Sequence, residues 1–255
     1  MVGWRRQALT ASGAWAGWIT GAVVTAGGWE CAAAMLAFFL SGSALSRRPH
    51  RRQQALDAYW EKGSRRDAAQ VVANGGVATL AALVQAWRPG AMPAAACFGA
   101  LATSSADTWA TEIGLHAAAP PRRITDGRPL TPGTSGGVTG LGILGSLAGA
   151  LFLAAVASVV PNQRRCSTRW RQFLGIALAG VIGSFFDSVL GATVQASCSC
   201  PTCHVTTERR LHACGTPTDH IAGIAWIDND VVNLSSTVLG ATAAMIWSMA
   251  SDQRV

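Results

Sequence analysis

Phe173-Leu-Gly-Ile-Ala-Leu-Ala-Gly-Val-Ile-Gly-Ser-Phe-Phe-Asp187-Ser-Val-Leu-Gly-Ala-Thr-Val-Gln195 decides how this chain folds. It exceeds the roughly 20 residues that a helix needs to cross a bilayer core, and Asp187 is its one ionisable residue. Gly180, Ser184 and Ser188 recur at helical spacing, as small residues do where helices approach closely in lipid. Six more apolar stretches of similar kind lie around it. The seven expected spans run near 8–27, 29–46, 68–87, 91–112, 136–160, 173–195 and 231–250. Gly13, Gly17 and Gly21 give the first the same small-residue spacing.

The composition agrees. Of 255 residues, 50% are hydrophobic and 13% charged, with 28 glycines. A soluble domain carries about 25% charged residues, so an ordinary soluble enzyme, a disordered tail and a fibrous repeat are excluded. Ten tryptophans against one tyrosine put the aromatic bulk in a residue that favours membrane interfaces. No internal repeat of fixed period is visible. The expected architecture is an all-α polytopic membrane bundle, residues 1–255 forming one integral membrane domain with an inserted Cys/His loop at 196–230.

The net charge of +7 reflects topology, not nucleic-acid binding, since no base-reading motif accompanies it. Arg47, Arg48, Arg51, Arg52, Lys62, Arg65 and Arg66 fall between two apolar spans, as cytoplasmic loops do. This puts the N-terminus and the loops 113–135 and 196–230 on the same side. Arg5 and Arg6 precede the first span, read here as a retained helix. Arg164, Arg165, Arg169 and Arg171 then fall on the opposite side, so either one span is re-entrant or the charge rule has an exception there.

Polar residues in or beside apolar spans are costly and mark candidate function. Gln70 and Asn74 are four apart on one helix face, followed by Gly75-Gly76. They serve either a ligand or interhelical hydrogen bonds. Asp107 and Glu112, with Ser104, Thr108 and Thr111, offer hard oxygen ligands of the kind Mg²⁺ takes. Five residues apart, the two carboxylates are about 140° apart on a helix, so a shared face requires the helix to open near Gly114. Arg122 and Arg123, followed by Gly133-Thr134-Ser135-Gly136-Gly137 before an apolar helix, suit an anion held by backbone N–H groups. The alternative is a plain basic loop and hinge, and no Walker A string is present. Asn229, Asp230 and Asn233 open the last span, with Asp228 or Asn229 available as an N-cap. Asp187 has no Lys or Arg within ten residues.

Cys31 and Cys97 lie in apolar spans and read as small core residues. Cys200-x-x-Cys203 and His212-x-Cys214 supply three thiolates and an imidazole, a closed set for structural Zn²⁺. Cys198 and His204 are alternate ligands. Redox use of the Cys-x-x-Cys pair lacks a thioredoxin-like context.

The strings Gln70-Val-Val-Ala-Asn74-Gly75-Gly76, Asp107-Thr-Trp-Ala-Thr-Glu112-Ile-Gly114, Pro132-Gly-Thr-Ser-Gly-Gly137, Asp187-Ser-Val-Leu-Gly191-Ala-Thr and Asn229-Asp230-Val-Val-Asn233 resemble the transmembrane protein 19 family, over nearly the whole chain and in order. That family includes a plant phytyl-phosphate kinase. The resemblance implies an integral membrane kinase that converts an isoprenoid monophosphate to the diphosphate with a nucleoside triphosphate, CTP foremost. Asp107, Glu112 and Asp187 would hold Mg²⁺, and the 122–137 loop would cradle the triphosphate. A weaker parallel links Asp107-Thr-Trp-Ala-Thr-Glu-Ile-Gly114 to the Asp-Thr-x-Ala-x-x-x-Gly string of membrane CTP-dependent lipid kinases. Pro132 stands where those enzymes have Glu, and their Lys is missing. A carrier of an anionic lipid or small solute is the alternative, since broken, Gly-rich helices with buried carboxylates also describe transporters.

Overall fold

A computed structural model describes residues 9–47, 66–159 and 166–252. The arginines at 5, 6, 48, 51, 52, 65, 164 and 165, and Lys62, lie outside those residues. Seven helices occur in the described residues: α1 (Ala11–Ala26), α2 (Trp29–Leu45), α3 (Ala68–Trp87), α4 (Ala91–Gly114), α5 (Gly140–Val159), α6 (Cys166–Thr193) and α7 (Asn229–Asp252). Each expected span is a helix. Four are long and apolar enough to cross a membrane by length and composition: α3, α5, residues 169–193 of α6 and residues 229–251 of α7. The fifth span starts later than expected, because Gly137–Val138 is a strand, β2, paired antiparallel with β1 (Arg122–Arg123). Thr139 then caps α5, its hydroxyl accepting from the Gly142 N–H at 2.9 Å.

Helix α4 is the axis of the bundle. Residues 95–106 are buried without interruption, and α2, α3, α5, α6 and α7 all pack against it. Lipid gives helices no hydrophobic reason to associate, so close van der Waals packing must do so, and glycine permits it. A Cβ on Gly149 of α5 would stand 2.6 Å from the Ser105 carbonyl oxygen, and one on Gly145 2.6 Å from that of Trp109. Gly180 of α6 meets Ala102 in the same manner. Of the α1 glycines, Gly13 lies against the Arg66 carbonyl, whereas Gly21 faces open space, so that spacing does not mark a continuous seam. Cys31 and Cys97 are buried in the apolar core, as expected.

Apolar side chains such as Leu144, Leu147, Ile182 and Ile246 point outward, where the bilayer would cover them. The helices alternate in direction: the ends of α2, α4 and α6 and the starts of α3, α5 and α7 all line one cavity. The opposite face carries exposed Trp29, Trp87 and Trp170, an interfacial belt. Helix α6 runs unbroken from that face, with Arg169 and Arg171 in its first turns. Among the described residues α5 and α6 are each continuous helices, and neither is re-entrant.

The segment between α6 and α7 is built on a three-stranded sheet in the order β4–β3–β5, with β3 Ser197–Ser199, β4 Thr206–Thr207 and β5 Asp219–Ala222. Both neighbours run antiparallel to β3.

Candidate active site

The cavity at the common helix ends has a volume of about 830 Å³, within the range of small-molecule sites. Gln70, Asn74, Asp107, Glu112, Gly133, Thr134, Ser135, Gly136, Gly137, Asp187, Asn229, Asp230 and Asn233 all line it.

Asp107 on α4 and Asp187 on α6 are close enough for their charges to interact. Ser236 of α7 donates to Asp187 Oδ2 at 3.1 Å. Two carboxylates enclosed together repel each other, and either a shared proton or a hard divalent cation relieves that repulsion. The Ser146 hydroxyl of α5 lines the same cavity, is buried, and has no hydrogen-bond partner among the described residues.

Glu112 sits differently from the expectation. The helix does not open at Gly114, so the five-residue offset turns Glu112 toward the end of α2, where it accepts from the Ser46 hydroxyl. Arg66 lines the cavity beside it, stacked 5.8 Å over the Phe38 ring. Burial pulls the Arg66 guanidinium below its ordinary value, and the Glu112 carboxylate opposes this. The three carboxylates thus divide into an Asp107–Asp187 pair and a Glu112–Ser46–Arg66 group on another wall.

Gln70 has a local task. Its side chain and that of Asp67 form a capping box at the start of α3, with Gln70 N–H donating to Asp67 Oδ1 at 2.9 Å and Asp67 N–H to Gln70 Oε1 at 3.1 Å. Asn74 donates to the Gln70 carbonyl at 3.1 Å, and the Asn74 carbonyl accepts from Ser104 at 2.7 Å. At the start of α7, Asp228 is the N-cap, accepting from Val231 N–H at 3.0 Å. Asn229, Asp230 and Asn233 thereby face the cavity from the first turn.

The 132–137 loop enters the cavity as expected, but not as a helix start. Gly133 and Gly136 have φ of 92° and 73°, conformations that favour glycine. A Cβ on Gly136 would overlap Ala192, so this glycine lets the loop lie on the end of α6. Arg122 and Arg123 do not reach the cavity. The hairpin spends them locally: Arg122 donates to the Gly127 carbonyl at 2.9 Å, and Arg123 pairs with Asp126 at 3.4 Å. Among the described residues, the cations that line the cavity are Arg66 and Arg210.

The ligand atoms of Cys200, Cys203, His212 and Cys214 lie within 4.8 Å of one another. Cys200 and Cys214 sulfurs are 3.7 Å apart, and His212 Nδ1 is 3.1 Å from Cys214 Sγ. Tetrahedral Zn–S bonds of about 2.3 Å put sulfurs about 3.8 Å apart, so this donor set fits Zn²⁺. Cys203 N–H donates to Cys200 Sγ at 3.4 Å. Bonding to the Thr216 hydroxyl and to His212 pulls the Cys214 thiol down to about 6. Hydrogen bonding to Cys214 and its charge push Cys203 up to about 11. Cys198 is outside the set: it is buried in β3 and lines the cavity. His204 occupies an exposed turn at φ 54°.

Sequence reasoning missed Arg66, Ser146, Glu208, Arg210, His220 and Trp226, all of which line the cavity. Arg66 is indistinguishable in sequence from its neighbouring arginines, although the Asp67-x-x-Gln70 box beside it marks a helix start. Glu208 lies between the two metal-ligand pairs, the one available hint.

The chain belongs to the integral membrane protein DUF92 family, whose model matches residues 1–241. It is 30% identical to Protein PGR of Arabidopsis thaliana over 96% of this chain and 91% of that protein. It is 28% identical to the uncharacterized membrane protein sll0875 of Synechocystis sp. (strain ATCC 27184 / PCC 6803 / Kazusa), over 94% of this chain and 83% of that one. No solved structure matches it. The family resemblance and the integral membrane location read from the motifs and spans are borne out.

Proposed function

We propose that this protein is an integral membrane kinase that converts an isoprenoid monophosphate to its diphosphate with a nucleoside triphosphate, CTP foremost. The observation that carries the reading is one cavity in which the Asp107–Asp187 pair meets the glycine-rich 132–137 loop at the end of a membrane bundle.

The acceptor of such a reaction is a lipid phosphate, whose oxygen is already anionic at neutral pH. That oxygen attacks the terminal phosphorus of the triphosphate, a P–O–P bond forms, and the bond to the nucleoside diphosphate breaks. No strong general base is needed. Catalysis then consists of positioning and charge stabilisation, and the cavity walls offer both. Asp107 and Asp187 would hold Mg²⁺, which supplies neutralisation of phosphate charge when bound. The backbone of 133–137 lies against the end of α6, within reach of the same space. Arg66 and Arg210 bring positive charge that the 122–123 pair does not. A site at helix ends suits an acceptor whose head is polar and whose chain stays in lipid. The 200–214 cluster would carry structural Zn²⁺.

The test is an assay of full-length purified protein with phytyl, geranylgeranyl and farnesyl monophosphate against CTP, ATP, GTP and UTP. Mg²⁺-dependent formation of a prenyl diphosphate supports the kinase. Inactivity with every pair, alongside uptake of an anionic solute in proteoliposomes, transfers the reading to a carrier.

A further inference from the structure

The segment that returns from the three-stranded sheet to α7 is exposed along its whole length. Every residue from Asp219 to Trp226 is exposed, and the run reads Asp-His-Ile-Ala-Gly-Ile-Ala-Trp. Ile221 is 54% exposed, Ile224 43% and Trp226 67%. The first half of this strap is β5, which among the described residues pairs with β3 alone and forms an edge of the sheet. Large apolar side chains crowded on so short a stretch mark a contact surface rather than a solvated loop.

The height of the strap in the bundle decides what it touches. Ile224 N–H donates to the Val194 carbonyl at 2.9 Å, and Ala196 N–H donates to the Ile227 carbonyl at 2.8 Å. A Cβ on Gly223, at φ 77°, would overlap the Gln195 carbonyl, so glycine lets the strap lie flat on the end of α6. Residues 169–193 of α6 and 229–251 of α7 are the lengths that can cross a membrane. The strap is therefore tied to the first residues past one span and runs directly into the next, at the level of the membrane interface. Tryptophan favours that level. The exposed apolar surface of the two helices reaches Val189 and Leu234, within about two turns of the points where the strap is attached. Lipid that covers those side chains extends to Ile221, Ile224 and Trp226.

The same strap borders the cavity. His220, Ala225 and Trp226 line it, and Arg210 Nη2, of another lining residue, lies 3.5 Å from the Ala225 carbonyl oxygen. A cation on the cavity wall beside apolar side chains at the interface matches an amphiphile with an anionic head and a hydrocarbon chain. A nucleoside base would use the Trp226 ring, but it leaves Ile221 and Ile224 without a role. We infer that the strap 219–226 is the lipid-side lip of the cavity, over which the isoprenoid chain of the acceptor passes from the bilayer while its phosphate enters past Arg210. This rests on the reading of the acceptor as an isoprenoid monophosphate.

The experiment uses full-length protein in lipid nanodiscs and geranylgeranyl monophosphate that carries a diazirine on its first isoprene unit. Irradiation followed by peptide mass spectrometry should place the label within residues 219–227, and unlabelled geranylgeranyl monophosphate should displace it. Trp226→Gln should raise the KM for geranylgeranyl monophosphate about tenfold, the effect of one lost apolar contact, and leave the KM for CTP in place. Trp226→Phe should restore most of the loss. Trp226 is exposed, so neither variant disturbs the packed bundle. Label found only outside 219–227 overturns the inference, whether a second copy of the chain or solvent then covers the strap. Diphosphate formation by the same protein would leave the kinase reading standing. Label that unlabelled substrate does not displace marks contact with bulk lipid alone and also overturns the inference. An effect of Trp226→Gln on the KM for CTP instead makes the strap a nucleoside wall and overturns it too. Displaceable label in the strap, without diphosphate formation from any nucleotide, overturns the kinase reading and leaves the lip for a lipid phosphate standing.

Discussion

Asp107→Asn separates a catalytic carboxylate from a packing one, because the two roles predict opposite signs for activity and stability. The swap preserves volume and hydrogen-bonding capacity and removes one negative charge. Asp107 follows the buried stretch of α4 and lines the same cavity as Asp187. Without a cation, the two charges destabilise the fold, so the asparagine variant should melt at the same temperature as wild type or higher. With a cation, the lost attraction dominates: a unit charge at 4 Å in an effective dielectric of 20 is worth about 4 kcal/mol. Such a loss in the transition state corresponds to roughly a thousandfold in rate. A second readout follows from linkage. Ligand at about 100 times its Kd stabilises the native state by about 2.7 kcal/mol, so Mg²⁺ should raise the melting temperature of wild type and not of Asp107→Asn. The assays are prenyl diphosphate formation and thermal melting in nanodiscs, each with and without Mg²⁺. An Asp107→Asn protein that turns over at the wild-type rate, or that Mg²⁺ stabilises as it does wild type, refutes the assignment.

Gly149→Ala puts a Cβ 2.6 Å from the Ser105 carbonyl and should destabilise the α4–α5 contact, by about 1–3 kcal/mol as overpacking does; melting in detergent checks it. Gly21→Ala, where a Cβ meets open space, should be neutral or gain up to about 1 kcal/mol. Gly136→Ala combines a φ of 73° with a clash against Ala192 and should lift the 132–137 loop, lowering prenyl-phosphate kinase activity while circular dichroism stays unchanged. Elemental analysis of protein purified without chelator should find about one zinc per chain. In metal-free protein Cys214, pulled to about 6, should alkylate at pH 7 well before Cys203, pushed to about 11, and added zinc should protect both.

Local chemistry was legible from sequence alone. The seven helices of the described residues and their alternation in direction followed from span length and charge, which act over a few neighbouring positions. The Cys200–Cys214 ligand set was legible for the same reason, since ligand spacing is short. Five polar strings could be picked out one by one, because a polar group in an apolar span is conspicuous wherever it later packs.

Tertiary structure decided which of those strings face one another. Asp107 and Asp187 are 80 positions apart, and only the packing of α6 on α4 through Gly180 and Ala102 brings them together. Glu112 shares a helix with Asp107, yet the helical turn sends it to Ser46 on α2. Arg122 and Arg123 suit an anion by sequence, yet the loop that follows them turns them onto Gly127 and Asp126. Among the described residues the positive charge at the cavity comes instead from Arg66 and Arg210, whose sequence neighbourhoods differ little from those of other arginines. Charge and hydrophobicity are properties of a residue and its near neighbours, so one chain reports them. The direction in which a side chain leaves a loop, and the partner it finds there, depend on helices far away in sequence, and only their packing determines them.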